Sequence, residues 1–281
     1  MPRRSHVVRH QHEGPPQTIH SLMEARALAE FAALPLTLPL LLDAPPGDGH
    51  PVLLVPGFMA TDATLFVLKA FLQKKGYDVH TWGLGRNVGF RSKLTTALPQ
   101  KIRYLHHITG KKVSLVGWSL GGVFSLYGAQ HAPECVRNII TLGSPVTIDA
   151  NGNQSPPLVR ALYRLISHRL GASAHMMQPR AKALRERRRP AIPTSCFYSL
   201  TDGVVPPQEA TVDGDARLHE NVRVPGSHCG LVFNGIVLAV IAERLSQPEG
   251  AWKPFAPTGM LDTVLDWTSG PASLTTYPAT I

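Results

Sequence analysis

The sequence predicts an α/β domain: a mostly parallel, doubly wound sheet with helices on both faces and a small helical cap. Three observations carry that expectation. Six short apolar runs alternate with segments of helical periodicity, the order produced when parallel strands are joined by crossover helices. One run, VSLVGWSLGG at 113–122, passes from an apolar strand through a glycine-flanked turn into a helical pattern. The alternation halts once, over residues 146–192, where an inserted cap would sit above the edge of the sheet that carries ligand chemistry. With 281 residues, 43% of them hydrophobic, the chain can bury a core of that size.

Taken in order, residues 1–20 read as a disordered basic leader, with Arg3, Arg4, Arg9 and several histidines. Residues 21–45 form an N-terminal helix and linker. In SLMEARALAEFAAL (21–34) Ser21 is placed to cap, Glu24 to complete a capping box, and Leu22, Leu28 and Phe31 to share a side. Pro35 ends that helix, and the stretch to Leu42 is expected to pack over the domain or an apolar mouth. The main domain spans 46–246. Its strands are expected at 51–57, 77–85, 113–118, 136–145, 194–200 and 220–226, and its helices at 62–75, 92–110, after Ser119, and at 229–245. Gly110 should cap the second of those helices. Within the cap, Leu158, Leu162, Leu165 and Ile166 share one helical face and Arg160, Arg164, His168 and Arg169 the other. Residues 247–281 lose periodicity and read as a tail outside the core, with one short helix near Met260–Trp267.

Gly117-Trp118-Ser119-Leu120-Gly121 matches G-x-S-x-G in the strand–turn–helix setting that makes such a motif chemical. A serine on that sharp turn projects its hydroxyl from the sheet edge. Side chains two residues to either side would collide with neighbouring backbone, hence Gly117 and Gly121. A serine hydroxyl is a weak nucleophile at neutral pH, so Ser119 needs a base and the base needs an orienting carboxylate. Asp202, after the CFYSL run, and His228, after the last strand, follow in the order Ser, Asp, His that this architecture uses. Asp213 and Asp215 are rival acids in a polar loop. An oxyanion would be held by two backbone N–H groups: that of Leu120, and that of Phe58 in the loop VPGFMATD after the first strand, with Met59 next in line. Trp118 and Met59, beside those positions, are assigned to substrate binding together with Leu162 and Leu165, whose face would cover an acyl pocket.

The formal net charge of +9 is concentrated in the leader and in RAKALRERRRP at 180–190. Such clusters serve as solvated faces or attract an anionic membrane surface or acidic substrate. No aromatic-interleaved basic motif indicates nucleic acid. Cys135, Cys196 and Cys229 lack metal-site or C-x-x-C spacing, border apolar runs, and read as small buried residues in a reducing compartment. No metal or organic cofactor is implied. The leader lacks the apolar core of a signal peptide and FAALPLTLPLLL (31–42) is broken by two prolines, so a cytoplasmic location is expected.

GDGHPVLLVPGF, WGLGRNVG, GWSLGG, LGSPV, TDGVV and GSHCGL, in that order, resemble the bacterial lipase/esterase branch of the α/β-hydrolase superfamily over about residues 46–255. The resemblance implies that fold and hydrolysis of a small-molecule or lipid carboxylic ester through an acyl-enzyme, with Ser119, Asp202 and His228 at the triad positions. Pro56 stands where many lipases carry a histidine before the glycine. Acyl transfer or amide cleavage on the same triad, and a binding or sensor protein with little turnover, are the alternatives.

Overall fold

The computed structural model describes residues 23–147, 191–212 and 214–269. The leader, the helix expected at 155–170 with Leu162 and Leu165, the basic run 180–190 and Asp213 lie outside them. Between the 3₁₀ turns Met23–Arg26 and Leu34–Thr37 lies helix α1 (Ala27–Ala32), and α2 is Leu38–Asp43. Strand β1 (Pro51–Val55) leads through a 3₁₀ turn at Asp62–Leu65, N-capped by Thr61, to α3 (Phe66–Lys74) and β2 (Asp78–Thr81). Helix α4 (Ser92–Thr109) ends at Gly110 in the left-handed conformation, as its position predicted. Then come β3 (Val113–Trp118), α5 (Leu120–His131), β4 (Val136–Leu142), β5 (Thr194–Tyr198), α6 (Pro207–Ala210), β6 (His219–Arg223), α7 (Gly235–Leu245) and α8 (Gly259–Ser269).

The six strands form one parallel sheet in the order β2-β1-β3-β4-β5-β6. Burial follows that order. Every residue of β1, β4 and β5 is buried, whereas at the two edges β6 alternates and β2 buries only Val79. This explains the unbroken apolar run of β1, which is covered on both faces. Alternate residues divide between two cores. Val52, Leu54, Val116 and Ile140 pack with α7, while Leu53, Val55, Leu115 and Ile139 pack with α4 and α5. Because β1 lies between β2 and β3, the chain reverses direction across β1. The crevice that this creates opens at the carboxyl ends of β1 and β3.

Two expectations for helices are corrected. The helix expected at 21–34 is, over its described residues, a 3₁₀ turn followed by α1, which ends before Pro35 as expected, and the stretch to Leu42 is itself a second turn and α2. Leu28 and Phe31 are 79% and 44% exposed, with the Phe31 ring against Phe233 (5.6 Å). The helix expected at 229–245 begins with a 3₁₀ turn at Gly230–Val232, and the long helix starts only where Asn234 accepts the N–H groups of Ile236 (3.0 Å) and Val237 (3.5 Å). Asn is a strong N-cap, so the restart is local chemistry. Among the described residues no single helix is long and apolar enough to cross a membrane, although Glu24–Ala32 and Leu34–Asp43 form one pair, bent by 58°, that has the length and composition.

The chain beyond 246 also differs from expectation, since Phe255, Leu261 and Leu265 are buried in the α7-side core. A buried ion pair fixes that segment. Glu220 on β6 accepts Arg244 Nη1 (3.0 Å), Ser195 Oγ (2.5 Å) and the N–H of Phe255 (2.5 Å), while Arg244 donates to the Lys253 carbonyl (2.8 Å) and to Glu243. The Arg244 guanidinium lies 5.1 Å from the centre of the Phe255 ring. Periodicity could not announce this, because the anchor is one arginine meeting backbone. Glu220→Ala strands that arginine and is expected to cost about 3 kcal/mol, the lower end for a broken buried pair because Glu243 remains. For a domain of this size that lowers Tm by about 6–12 °C. A melting temperature within about 2 °C of wild type, followed by circular dichroism, would show that the network contributes little.

Candidate active site

Ser119 follows the last residue of β3 with φ 54° and ψ −125°, a conformation that non-glycine residues avoid, and α5 starts at the next residue. A residue held there costs roughly 1–3 kcal/mol and persists because its surroundings impose it. They do so through bare backbone. A Cβ at Gly121 would lie 2.1 Å from the Val55 carbonyl oxygen, and one at Gly117 would lie 2.5 Å from the backbone of Gly121. The end of β1, the turn and the first turn of α5 therefore meet without side chains between them. The N–H of Ser119 donates to the Leu142 carbonyl on β4 (2.8 Å). Leu120, at the first position of α5, has no intrahelical acceptor for its N–H, and the positive end of the helix lies at Ser119.

Asp202 and His228, each in the loop after its strand, are 2% and 4% exposed. Asp202 Oδ1 accepts the N–H groups of Val204 and Val205, both at 2.8 Å, and Oδ2 lies 2.7 Å from His228 Nδ1. An ionised carboxylate only accepts, so Nδ1 carries the proton and Nε2 is left as the basic nitrogen. Burial works against the imidazolium, but the charge and hydrogen bond of Asp202, and then the charge of Glu24, outweigh it and raise the His228 pKa above its ordinary value. The histidine is thus a stronger base than in water.

Two contacts bring the turn to the histidine. Trp118 Nε1, one residue before Ser119, donates to the His228 carbonyl (3.0 Å), and the two rings lie 5.7 Å apart. A Cβ at Gly143, next to the residue that accepts from Ser119, would lie 2.8 Å from Asp202 Oδ2 and 3.1 Å from His228 Nδ1. Ser119 and His228 are not hydrogen-bonded to each other here; such contacts commonly close only around a reacting ligand. Trp118, read from sequence as a substrate contact, is tied by its indole to the histidine loop.

The loop after β1 runs beside Ser119, since a Cβ at Gly57 would sit 3.1 Å from Ser119 Cβ. Met59 has φ 62°, and its N–H already donates to the Asn87 carbonyl (2.6 Å). This occupies the fallback donor. Asn87 is fully buried: its Nδ2 donates to the Pro56 carbonyl (2.7 Å) and its N–H to the Ala60 carbonyl (2.9 Å). Sequence reading assigned it nothing, although it sits in the quoted GRNVG stretch; a polar residue between glycines beside an apolar run was the available signal.

Other candidates are placed elsewhere. Asp215 pairs with Arg217 (2.8 Å) in an exposed loop. Cys135 and Cys196 are buried as expected, but Cys229 is exposed, since it follows His228 in the open loop rather than opening a helix. Desolvation and the charges of Glu24, Asp202 and Glu30 push its thiol up to about 12, so it stays protonated. A second Ser–His–Asp arrangement joins His50 to Asp48 (2.5 Å) and to Ser114 (2.7 Å), but His50 and Ser114 are wholly buried among strands, with no face for a reactant. A surface depression lined by His80, Lys101, Tyr104 and Ile108 contains none of these groups.

No protein-family model and no curated protein matches the chain. Among solved structures it is similar to Aspergillus fumigatus lipase B, with a TM-score of 0.54 and 18% identity over 77% of this chain and 56% of that one. The chain therefore spans little more than half of that relative. It is also similar to Bacillus licheniformis lipase BlEst2 in mature form, with a TM-score of 0.53 and 18% identity over 73% of this chain and 95% of the other. For Paleococcus ferrophilus monoacylglycerol lipase the TM-score is 0.50 and the identity 16%, over 71% and 96% of the two chains. At these identities the likeness is one of architecture: the chain has the α/β-hydrolase fold.

Proposed function

We propose that this protein is a serine hydrolase that cleaves carboxylic esters through an acyl-enzyme. The observation that carries the reading is Ser119 in a strained turn at the carboxyl edge of the sheet, beside a buried Asp202–His228 pair whose tautomer leaves Nε2 basic. In this reading Ser119 Oγ attacks the ester carbonyl carbon while His228 Nε2 takes its proton. Negative charge then develops on the carbonyl oxygen, and the N–H groups of Phe58 and Leu120 stabilise it. Collapse breaks the bond to the alcohol oxygen, which receives the proton from His228. Water, deprotonated by the same nitrogen, attacks the acyl-enzyme and releases the acid. The lipase names of the structural neighbours are consistent with this chemistry.

The lipid end of the substrate range is favoured by one observation. Leu28, Leu36, Leu38 and Leu42 are 49–83% exposed on the segment that joins the His228 loop to the body. Steady-state turnover of p-nitrophenyl esters from acetate to long chains, beside labelling by a fluorophosphonate, tests both points. Labelling at Ser119 with sustained turnover supports the hydrolase. Labelling without turnover would instead indicate a binding protein, and a rate falling steadily with acyl length would argue against lipid esters.

The oxyanion assignment has its own expected result. Phe58→Ala keeps the backbone donor and should chiefly alter acyl fit. Phe58→Pro deletes it and should lower kcat by roughly 10²–10³. Proline also fixes φ and restricts Gly57, so circular dichroism and Tm must accompany the rates. Equal rates for folded Pro and Ala variants would place the second donor elsewhere.

A further inference from the structure

We propose that Glu24 is a positioning residue that clamps the loops bearing Asp202 and His228 into one geometry and adds its charge to theirs. Its Oε1 accepts the N–H of Gly203 (2.8 Å), which follows Asp202, and the N–H of His228 itself (2.9 Å). Its Oε2 accepts the N–H of Cys229 (3.0 Å). One carboxylate thus spans two loops that leave neighbouring strands separately. Hydrogen bonds to an ionised acceptor are short and about twice as strong as neutral ones, so three on one group make a stiff joint.

The joint is supported from the same segment. Arg26 donates to the Thr201 carbonyl (2.9 Å) and Oγ1 (2.6 Å), and pairs with Glu30 (3.1 Å). Glu30 in turn accepts the N–H of Ser227 (2.8 Å) and lies 3.4 Å from Asn234 Nδ2. Residues 24–30 therefore hold 201–203 and 227–229 from outside the sheet.

The clamp also has an electrostatic face. The groups around His228 are Asp202 from the loop after β5, Glu24 from the N-terminal turn, the protonated Cys229 beside it, and Glu30 with its Arg26 partner further out. Two of these, Asp202 and Glu24, favour the charged imidazole. In the reaction His228 becomes cationic after taking the serine proton, so a fixed negative charge at its backbone lowers the energy of that step. This role rests on the reading of Asp202 and His228 as the acid–base pair.

The test uses the full chain carrying Glu24→Gln or Glu24→Ala. It measures kcat and KM for p-nitrophenyl butyrate against pH, and the midpoint of the His228 imidazole resonance by NMR. That resonance is identified as the one lost in His228→Asn. Glu24→Ala frees both loops and should lower kcat by up to about 10²-fold, the scale of a sub-ångström to one-ångström misplacement, with KM little changed. Glu24→Gln can still accept at one oxygen, so its kcat falls less, but it has lost the charge. In both variants the His228 midpoint and the acid limb of kcat/KM should move to lower pH. A merely structural brace would lower Tm and activity without moving either. Unshifted midpoints in a folded Glu24→Gln variant overturn the proposal, as does wild-type kcat in Glu24→Ala. The NMR arm needs no substrate. If the wild type turns over no ester, the hydrolase reading fails while the midpoint still decides the case of Glu24.

Discussion

Replacing Ser119 by alanine is expected to lower kcat for an ester by about 10⁶-fold, the scale seen when the nucleophile of a serine triad is removed. What survives should be a weak background from backbone donors and binding, roughly 10³–10⁴ over water. The fold should hold. Alanine fills the same volume less one oxygen, and the positive φ at 119 is imposed by the contacts of Gly117 and Gly121, which do not involve the hydroxyl. The variant should also resist the fluorophosphonate. Ser114→Ala is the matched control. Ser114 is the buried partner of His50 in the Asp48–His50–Ser114 set, and losing it should change stability rather than turnover. If Ser119→Ala kept more than about a tenth of wild-type kcat, the nucleophile would lie elsewhere. If Ser114→Ala abolished labelling in a folded protein, the choice between the two sets would be reversed.

The two serine–histidine sets show what the sequence could and could not tell. Ser119 was legible because strain has a written form: two glycines at fixed offsets, a strand before and a helix after. The first strand was legible for a similar reason, since burial on both faces leaves only apolar residues in PVLLV. The places of Asp202 and His228 after strands were legible, and the fold brings the two into a hydrogen bond. The Asp48–His50–Ser114 set was invisible, because a polar cluster is ordinary residues until the fold brings them together.

The long-range contacts of Glu24 were illegible for a related reason. As a helix-capping residue it fits a local rule, yet its carboxylate accepts backbone N–H groups up to 205 residues away. Backbone donors have no sequence signature, so neither this clamp nor the Arg244 anchor on Lys253 could be inferred from periodicity. Asn87, in the loop after β2, is the same case: its partners are the carbonyl of Pro56 and the backbone of Ala60 in the loop after β1. The partner of the Trp118 indole N–H in the His228 carbonyl was not legible from its place beside Ser119.

Asp202→Asn is expected to lower kcat by about 10⁴-fold, although it removes no atom from the site. The reason lies in which oxygen does what. Oδ1 already accepts two N–H groups, from Val204 and Val205, and Oδ2 faces His228 Nδ1. In the asparagine variant the carbonyl oxygen must stay where the two donors point, since an amide NH₂ there would leave them opposed by donors. The NH₂ then faces Nδ1, which can no longer carry a proton and must accept. The imidazole proton moves to Nε2, the nitrogen that should receive the serine proton. His228 also loses the carboxylate charge beside it that favours its cationic form, so its midpoint should fall. The NMR titration used for Glu24 measures that fall, and the kinetics measure the rate. Asp215→Asn, in an exposed pair with Arg217, should leave both unchanged. Retained activity in a folded Asp202→Asn protein would mean that His228 does not depend on this carboxylate for its tautomer. Loss of activity on substituting Asp213 instead would move the acid to the polar loop.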